Sequence, residues 1–327
     1  MLLNSLYIII GISIVLYGAD RLTAGASALA RRMNIPEIVI GLTIVAAGTS
    51  APEFFVSLMS ALNGTPDMAV GNVVGSNIFN VLLIVGVTAM VAPINVTRVT
   101  VNKDMVWAIV AAIMLLVLCI DRPAISLSGN SISRLDGIVL LAVFLYFMNY
   151  TLRMARKNKA KTATRHEDSQ LQSRDNSLFD LMKNITFFIC GLAMLIFGSN
   201  LFVSSASYVA LTLGISESIV GLTIVAGGTS LPELATSVVA AKKGNSAIAI
   251  GNVIGSNVFN TLAILGSTAV ICPMQINGIN IIDILTMVVS MLVLWLFSKT
   301  KLTVERWEGG ILTLSFATYM AYLLSNI

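Results

Sequence analysis

The chain has 327 residues and a net charge of +4; 56% of its residues are hydrophobic, 11% are charged, and its mean hydropathy is +0.88. Soluble domains carry about 25% charged residues, so a soluble globular fold is excluded, and the apolar sequence suffices for roughly ten bilayer spans of ~20 residues. The pI near 9.0 does not argue for nucleic acid, because the basic residues sit in membrane-flanking loops.

Taken in order, spans are predicted at 5–23, 37–61, 67–92, 104–121 and 135–152, then at 180–204, 217–241, 247–271, 280–298 and 308–325. The first run has no basic segment before it and reads as a first helix rather than a targeting segment. The stretch from Arg153 to Asp180 is the only long polar one and reads as a mobile linker; it holds the single histidine, His166, read as a solvated loop residue. Cys119, Cys190 and Cys272 are odd in number and lack a CxxC pair, so they read as apolar packing residues rather than a disulfide or zinc framework.

Gly41–Gly86 and Gly221–Gly266 align without a gap at an offset of 180, with 26 of 46 positions identical. The offset continues outside this stretch: Gly11 matches Gly191, Gly18 matches Gly198, Asp20 matches Asn200, Glu37 matches Glu217, and Pro93 matches Pro273. Near the ends of the halves, Arg134–Gly137 matches Arg306–Gly309 at an offset of 172. The expected fold is therefore all-α and polytopic: ten transmembrane helices as two five-helix repeats, 1–152 and 180–327, joined by a linker at 153–179. An odd number of spans per repeat inverts the second copy in the membrane, as in many secondary transporters. Assigning alternate loops to opposite sides puts 18 Lys and Arg on one side and only Arg122 and Arg134 on the other. The positive-inside rule makes the first side cytoplasmic, with both termini outside and the linker inside.

Each repeat carries two unusual segments. The first is Gly48-Thr49-Ser50-Ala51-Pro52-Glu53, with its copy Gly228-Thr229-Ser230-Leu231-Pro232-Glu233. Pro52 and Pro232 have no N–H for the carbonyls of Gly48 and Gly228, so the helix should break there. In hydrocarbon a freed carbonyl needs protein, water or an ion. Thr49, Ser50, Thr229 and Ser230 add hydroxyls at the same level. Glu53 and Glu233 are each costly at mid-membrane, by ~2.5–3.5 kcal/mol on the insertion scale, and would repel one another when facing. A bound cation offsets both costs. Oxygen-only ligands suit Ca²⁺, which takes about 6–8 of them, or several Na⁺; the lack of Cys and His donors argues against Cu or Zn. Met59 and Met68 read as packing.

The second segment is Gly71-Asn72-Val73-Val74-Gly75-Ser76-Asn77-Ile78-Phe79-Asn80, with its copy Gly251–Asn260. The glycines permit close helix approach. Ser76 and Asn80, with Ser256 and Asn260, are candidate ligands sharing a helix face, and Asn72, Asn77, Asn252 and Asn257 are candidate backbone clamps. Asp20, Glu37, Asn200 and Glu217 fall at span ends and read as interfacial or capping residues.

At these duplicated GTSxPE and GNxxGSNxFN segments the chain resembles the calcium/cation antiporter superfamily, and within it the prokaryotic sodium/calcium exchangers of the bacterial inner-membrane YrbG-like branch. The resemblance covers essentially the whole chain. It implies inverted repeats and alternating access, with Ca²⁺ held by Glu53 and Glu233 and the carbonyls of Thr49 and Thr229. It further implies Na⁺ sites shared among the glutamates, Ser50, Ser230, Ser76 and Ser256, with the carbonyls of Ala46 and Ala226 lining the outer ones. Ca²⁺ and Na⁺ would then compete for one site, with three Na⁺ per Ca²⁺ making exchange electrogenic. Asn80 and Asn260 stand where the family often has an aspartate in one repeat, which disfavours K⁺ co-transport. The alternatives are a H⁺/Ca²⁺ antiporter using the same glutamates as proton carriers, a passive cation channel, or a non-transporting membrane scaffold. No histidine partners the buried serines and glutamates, so no enzyme is expected, and no cofactor.

Overall fold

The computed structural model describes residues 1–33, 35–119, 131–165, 178–214, 224, 226–275 and 281–325. Arg122, His166, Glu217 and the opening of the second repeat copy at 221–223 lie outside the described residues. The helices are α1 (Leu2–Met33), α2 (Glu37–Thr49), α3 (Ala51–Leu62), α4 (Pro66–Val91), α5 (Thr100–Cys119), α6 (Arg134–Arg165), α7 (Leu178–Thr212), α8 (Ala226–Thr229), α9 (Leu231–Lys242), α10 (Ser246–Ile271), α11 (Ile281–Lys301) and α12 (Arg306–Ser325). Among the described residues seven helices are long and apolar enough to cross a membrane, eight when α2 and α3, bent by 46° at their junction, count as one span. Helix α6 runs to Arg165, so the stretch expected to be a mobile linker begins as helix.

Two short strand pairs test the alternation of the loops. β1 (Ile94–Asn95) pairs antiparallel with β4 (Thr303–Val304), and β2 (Ser131–Ile132) pairs with β3 (Met274–Gln275). β1 and β3 are repeat mates at an offset of 180, and β2 and β4 at 172. Exchanging the halves therefore exchanges one strand pair for the other. Each pair also joins two loops that alternation places on the same side of the membrane. Directly opposed strand residues lie about 4.5–5.5 Å apart at Cα, within disulfide range. In a chain otherwise free of cysteine, Ser131→Cys with Gln275→Cys is therefore expected to cross-link under oxidation. After proteolysis in the central loop, a single band on a non-reducing gel checks this.

The halves interlock throughout. α1 crosses α7 so closely that a Cβ on Gly191 would lie 2.5 Å from the Leu22 nitrogen, and one on Gly11 would lie 2.9 Å from the Gly198 carbonyl. Only glycine permits such backbone contact. The last helix of each repeat packs on the third-span helix of the other: Gly86 meets Gly309, and Gly137 meets Gly266. Phe79 stacks edge-on against Phe316 at 5.3 Å, and its mate Phe259 against Phe144 at 4.8 Å. One apolar core unites both halves, with Ile78, Val81 and Leu140 beside Val258, Leu262 and Leu312. Large apolar side chains such as Leu135, Leu145, Phe197 and Leu314 face outward, as expected where lipid is the solvent.

Three expectations change. Met59 and Met68 are exposed rather than packed, because α7 does not cover α3 as α1 covers α9. Cys190 is likewise exposed on α7. Asp20 lies inside the long helix α1 rather than at a helix terminus, so it caps no helix, and it pairs with Lys243.

Candidate ion site

The site forms where the two helix breaks meet. Ser50, with φ −83° and ψ 6°, ends α2 and precedes α3, and Ser230 does the same before α9 with φ −89° and ψ 7°. Pro52 and Pro232 occupy the first turns of α3 and α9, where a missing N–H is tolerated. Glu53 and Glu233 follow them in the same first turns, at helix N-termini that favour negative charge. Both are buried, at 0% and 1% exposure.

The serines cross between repeats. Ser50 Oγ donates to Glu233 Oε1 at 2.9 Å, and Ser230 Oγ donates to Glu53 Oε1 at 3.0 Å. Ser256 Oγ lies 3.5 Å from Glu233 Oε1, a contact that its mate Ser76, also buried, does not repeat toward Glu53. Thr49 Oγ1 donates to the Val45 carbonyl at 3.1 Å. Thr49 Oγ1 is in addition 3.1 Å from Asn252 Oδ1. The Ala46 carbonyl accepts the Ser50 N–H at 3.0 Å. Ala226 opens the short helix α8, which places its carbonyl at the matching level of the second repeat.

Asn72 Nδ2 donates to the Glu53 carbonyl at 3.2 Å and to Ser57 Oγ at 2.9 Å. Asn252 repeats this with the Glu233 carbonyl at 3.4 Å and Ser237 Oγ at 3.1 Å. Ser57 and Ser237 in turn donate to the carbonyls of Ala69 and Ala249. Each chain of bonds ties the start of the glutamate helix to the neighbouring helix, fixing where the carboxylate sits.

A second ring joins α4 and α10. Asn80 Nδ2 donates to Asn257 Oδ1 at 2.9 Å, and Asn260 Nδ2 donates to Asn77 Oδ1 at 3.2 Å. Asn77 and Asn257 are themselves held: Asn77 by Thr261 Oγ1 and Met287 Sδ, Asn257 by the Asn77 carbonyl and Met291 Sδ. Asn80 and Asn260 lie at the start of wide π-type turns, Phe79–Val85 and Phe259–Ile264. Such turns are frequent at functional sites.

What remains is four buried oxygens without a hydrogen-bond partner among the described residues: Glu53 Oε2, Glu233 Oε2, Asn80 Oδ1 and Asn260 Oδ1. Every other polar atom of these four side chains is committed. Neither carboxylate has a basic partner among the described ion pairs. Buried polar atoms are normally satisfied, and an unpaired buried charge is costly. Two carboxylate oxygens and two amide oxygens left free make a hard-oxygen set suited to a cation.

Ser57, Ser237, Thr261, Met287 and Met291 were not among the candidates read from the sequence. Ser57 and Ser237 carried a signal, since they are identical between the two copies. Thr261 matches Val81, and the methionines lie outside the motif, so neither was marked.

Two interlocked inverted repeats around an oxygen-lined break define a secondary transporter. The chain belongs to the sodium/calcium exchanger protein family, which matches residues 3–153 and 183–325. The inner membrane protein YrbG of Escherichia coli is 35% identical over 99% of this chain and 97% of its own length. The sodium/calcium exchanger MaX1 of Methanosarcina acetivorans is 30% identical over 98% of each chain. A solved structure of the sodium–calcium exchanger NCX_Mj superposes with a TM-score of 0.82 at 30% identity, over 98% of this chain and 99% of that one.

Proposed function

We propose that this chain is an antiporter that exchanges Na⁺ for Ca²⁺ by alternating access, with both ions competing for one site. The observation that carries the reading is the set of four unpartnered buried oxygens on Glu53, Glu233, Asn80 and Asn260. Ca²⁺ takes the two carboxylates and the carbonyls of Thr49 and Thr229. Na⁺ takes the same carboxylates together with the hydroxyls of Ser50, Ser230, Ser76 and Ser256, with the carbonyls of Ala46 and Ala226 at the outer positions. Asn80 and Asn260 add oxygen without charge. Pro52 and Pro232 hold the breaks open, and Asn72, Asn77, Asn252 and Asn257 lock the surrounding backbone and amides. Two fixed negative charges neutralise one Ca²⁺ and are over-neutralised by three Na⁺, which makes exchange sensitive to membrane potential.

The side bearing the basic loops faces the cytoplasm of a bacterial inner membrane, and the termini face outward. MaX1 and NCX_Mj, both sodium/calcium exchangers, support the choice of Na⁺ and Ca²⁺, and YrbG, an inner membrane protein, supports the choice of membrane. The test uses purified protein in vesicles loaded with Na⁺ and diluted into Na⁺-free medium. The expected result is ⁴⁵Ca²⁺ uptake that requires the outward Na⁺ gradient. Uptake driven by a pH gradient and indifferent to Na⁺ would assign the coupling to H⁺. Flux that neither gradient drives uphill would assign a channel.

A further inference from the structure

The two halves are alike in sequence but not in how their first helices cover the site. On the cytoplasmic side, α1 lies against α9 and the start of α10. Ala19, Leu22, Ala26 and Ala30 pack there with Ala235, Ala240, Ala241, Ile248 and Ala249. On the opposite side the repeat mates stand open: Phe55, the mate of Ala235, is 63% exposed, and Met68, the mate of Ile248, is 62% exposed. The helices that hold the buried site are thus covered by α1 toward the cytoplasm, while toward the exterior α7 leaves their mates α3 and α4 uncovered.

Among the described residues, the polar contacts named here between a first helix and the opposite repeat lie on the covered side. Lys243, just past the end of α9, places its Nζ 2.6 Å from Asp20 Oδ1 and donates to the Asp20 carbonyl at 3.2 Å. Asn245 Nδ2 donates to Ser27 Oγ at 2.8 Å, about two turns further along α1. The repeat mates of Asp20 and Lys243 are Asn200 and Asn63, so these two positions cannot form the same ion pair on the other side. Ser207, the mate of Ser27, leaves its hydroxyl without a partner among the described residues.

We propose that the Asp20–Lys243 ion pair, with the Asn245–Ser27 hydrogen bond beside it, is a one-sided latch on alternating access. It forms when the site is closed to the cytoplasm, breaks whenever the site opens there, and biases the carrier toward the exterior. The bias follows from geometry. Because α1 is in backbone contact with α7, the two helices move together, and exposing the site to the cytoplasm requires α1 to leave α9. That separation breaks the ion pair. Closing the exterior brings together Asn200 and Asn63, two neutral amides that form no compensating ion pair. The ion pair is partly solvated, with side-chain exposures of 36% and 43%, so the bias it sets is about two- to five-fold in population. The inference rests on the alternating-access reading of the protein, but its test needs no ion flux.

In a chain with Cys119, Cys190 and Cys272 replaced by alanine, the repeat mates Met59→Cys and Val239→Cys report the two sides. A membrane-impermeant maleimide is applied to right-side-out and inside-out vesicles. The expected parent labels quickly at Met59→Cys and slowly at Val239→Cys. Asp20→Asn or Lys243→Asn, each of which copies the other repeat, is expected to speed labelling at Val239→Cys by about two- to five-fold and to slow it at Met59→Cys. The reversed pair, Asp20→Lys with Lys243→Asp, is expected to restore the parent rates. Unchanged labelling in both single variants would overturn the latch. So would a reversed pair that labels like the singles, since the effect would then not come from the charge pair. Either failure leaves Na⁺-driven Ca²⁺ uptake standing, and absence of that uptake leaves the labelling result intact.

Discussion

Replacing Glu53 or Glu233 by Gln is expected to abolish Ca²⁺ uptake while leaving the fold intact, and in the absence of ions to make it more stable. The amide nearly matches the carboxylate in size and keeps an oxygen for the serine that donates from the opposite repeat. It removes one of two negative charges from a site with no basic partner among the described ion pairs. Disturbing groups that merely orient metal ligands already costs about 10–100-fold in affinity, so loss of a charged ligand is expected to weaken Ca²⁺ binding by at least ~100-fold. Without ions, the same change removes a buried charge and the repulsion between the two carboxylates. The prediction therefore has two signs: a higher thermal midpoint in ion-free buffer, and loss of the midpoint rise that Ca²⁺ gives the parent. Thermal unfolding with and without Ca²⁺ checks both.

Gly191→Leu is expected to slow transport about ten-fold without abolishing ion binding. A side chain at position 191 would meet the Leu22 nitrogen and the Gly18 carbonyl, at 2.5 and 2.7 Å from its first carbon. These are backbone atoms and cannot rotate away. The helices α1 and α7 must part locally, and overpacking of this kind costs about 1–3 kcal/mol. Gly191 lies on α7, whereas the proposed ion ligands lie on α2, α3, α4, α8, α9 and α10 or at the breaks between them. Ca²⁺ affinity is thus expected to stay within about three-fold of the parent, while the uptake rate falls by about ten-fold, the equivalent of 1.4 kcal/mol on the transport barrier. Equilibrium ⁴⁵Ca²⁺ binding beside uptake on the same preparation separates the two effects.

Much of this was legible in the sequence because the chain was written twice. Proline, glutamate and asparagine are expensive in an apolar run, so their identical recurrence at an offset of 180 marked the breaks, the carboxylates and the amides together. The clamp by Asn72 and Asn252 fits its reading as a tie to the backbone. What repetition cannot encode was missed. The π-type turns at Phe79 and Phe259 lie in apolar runs with no proline or other break signal inside them. Which side of a symmetric carrier is covered is a property of one conformation, so Met59 and Met68 read as packing and are exposed. Asp20 and Lys243 were read apart because 223 positions separate them, and repeat comparison hides a contact that only one side makes.

The central claim is that Ca²⁺ and Na⁺ compete for oxygens on Glu53 and Glu233. Its most direct test is calorimetric titration of the purified protein with Ca²⁺, first in Na⁺-free buffer and then at rising Na⁺. One Ca²⁺ per chain is expected, with an apparent Kd that rises more steeply than the first power of Na⁺ concentration and binding heat lost in Glu53→Gln and Glu233→Gln. A Ca²⁺ affinity indifferent to Na⁺, or undiminished in both variants, would contradict it.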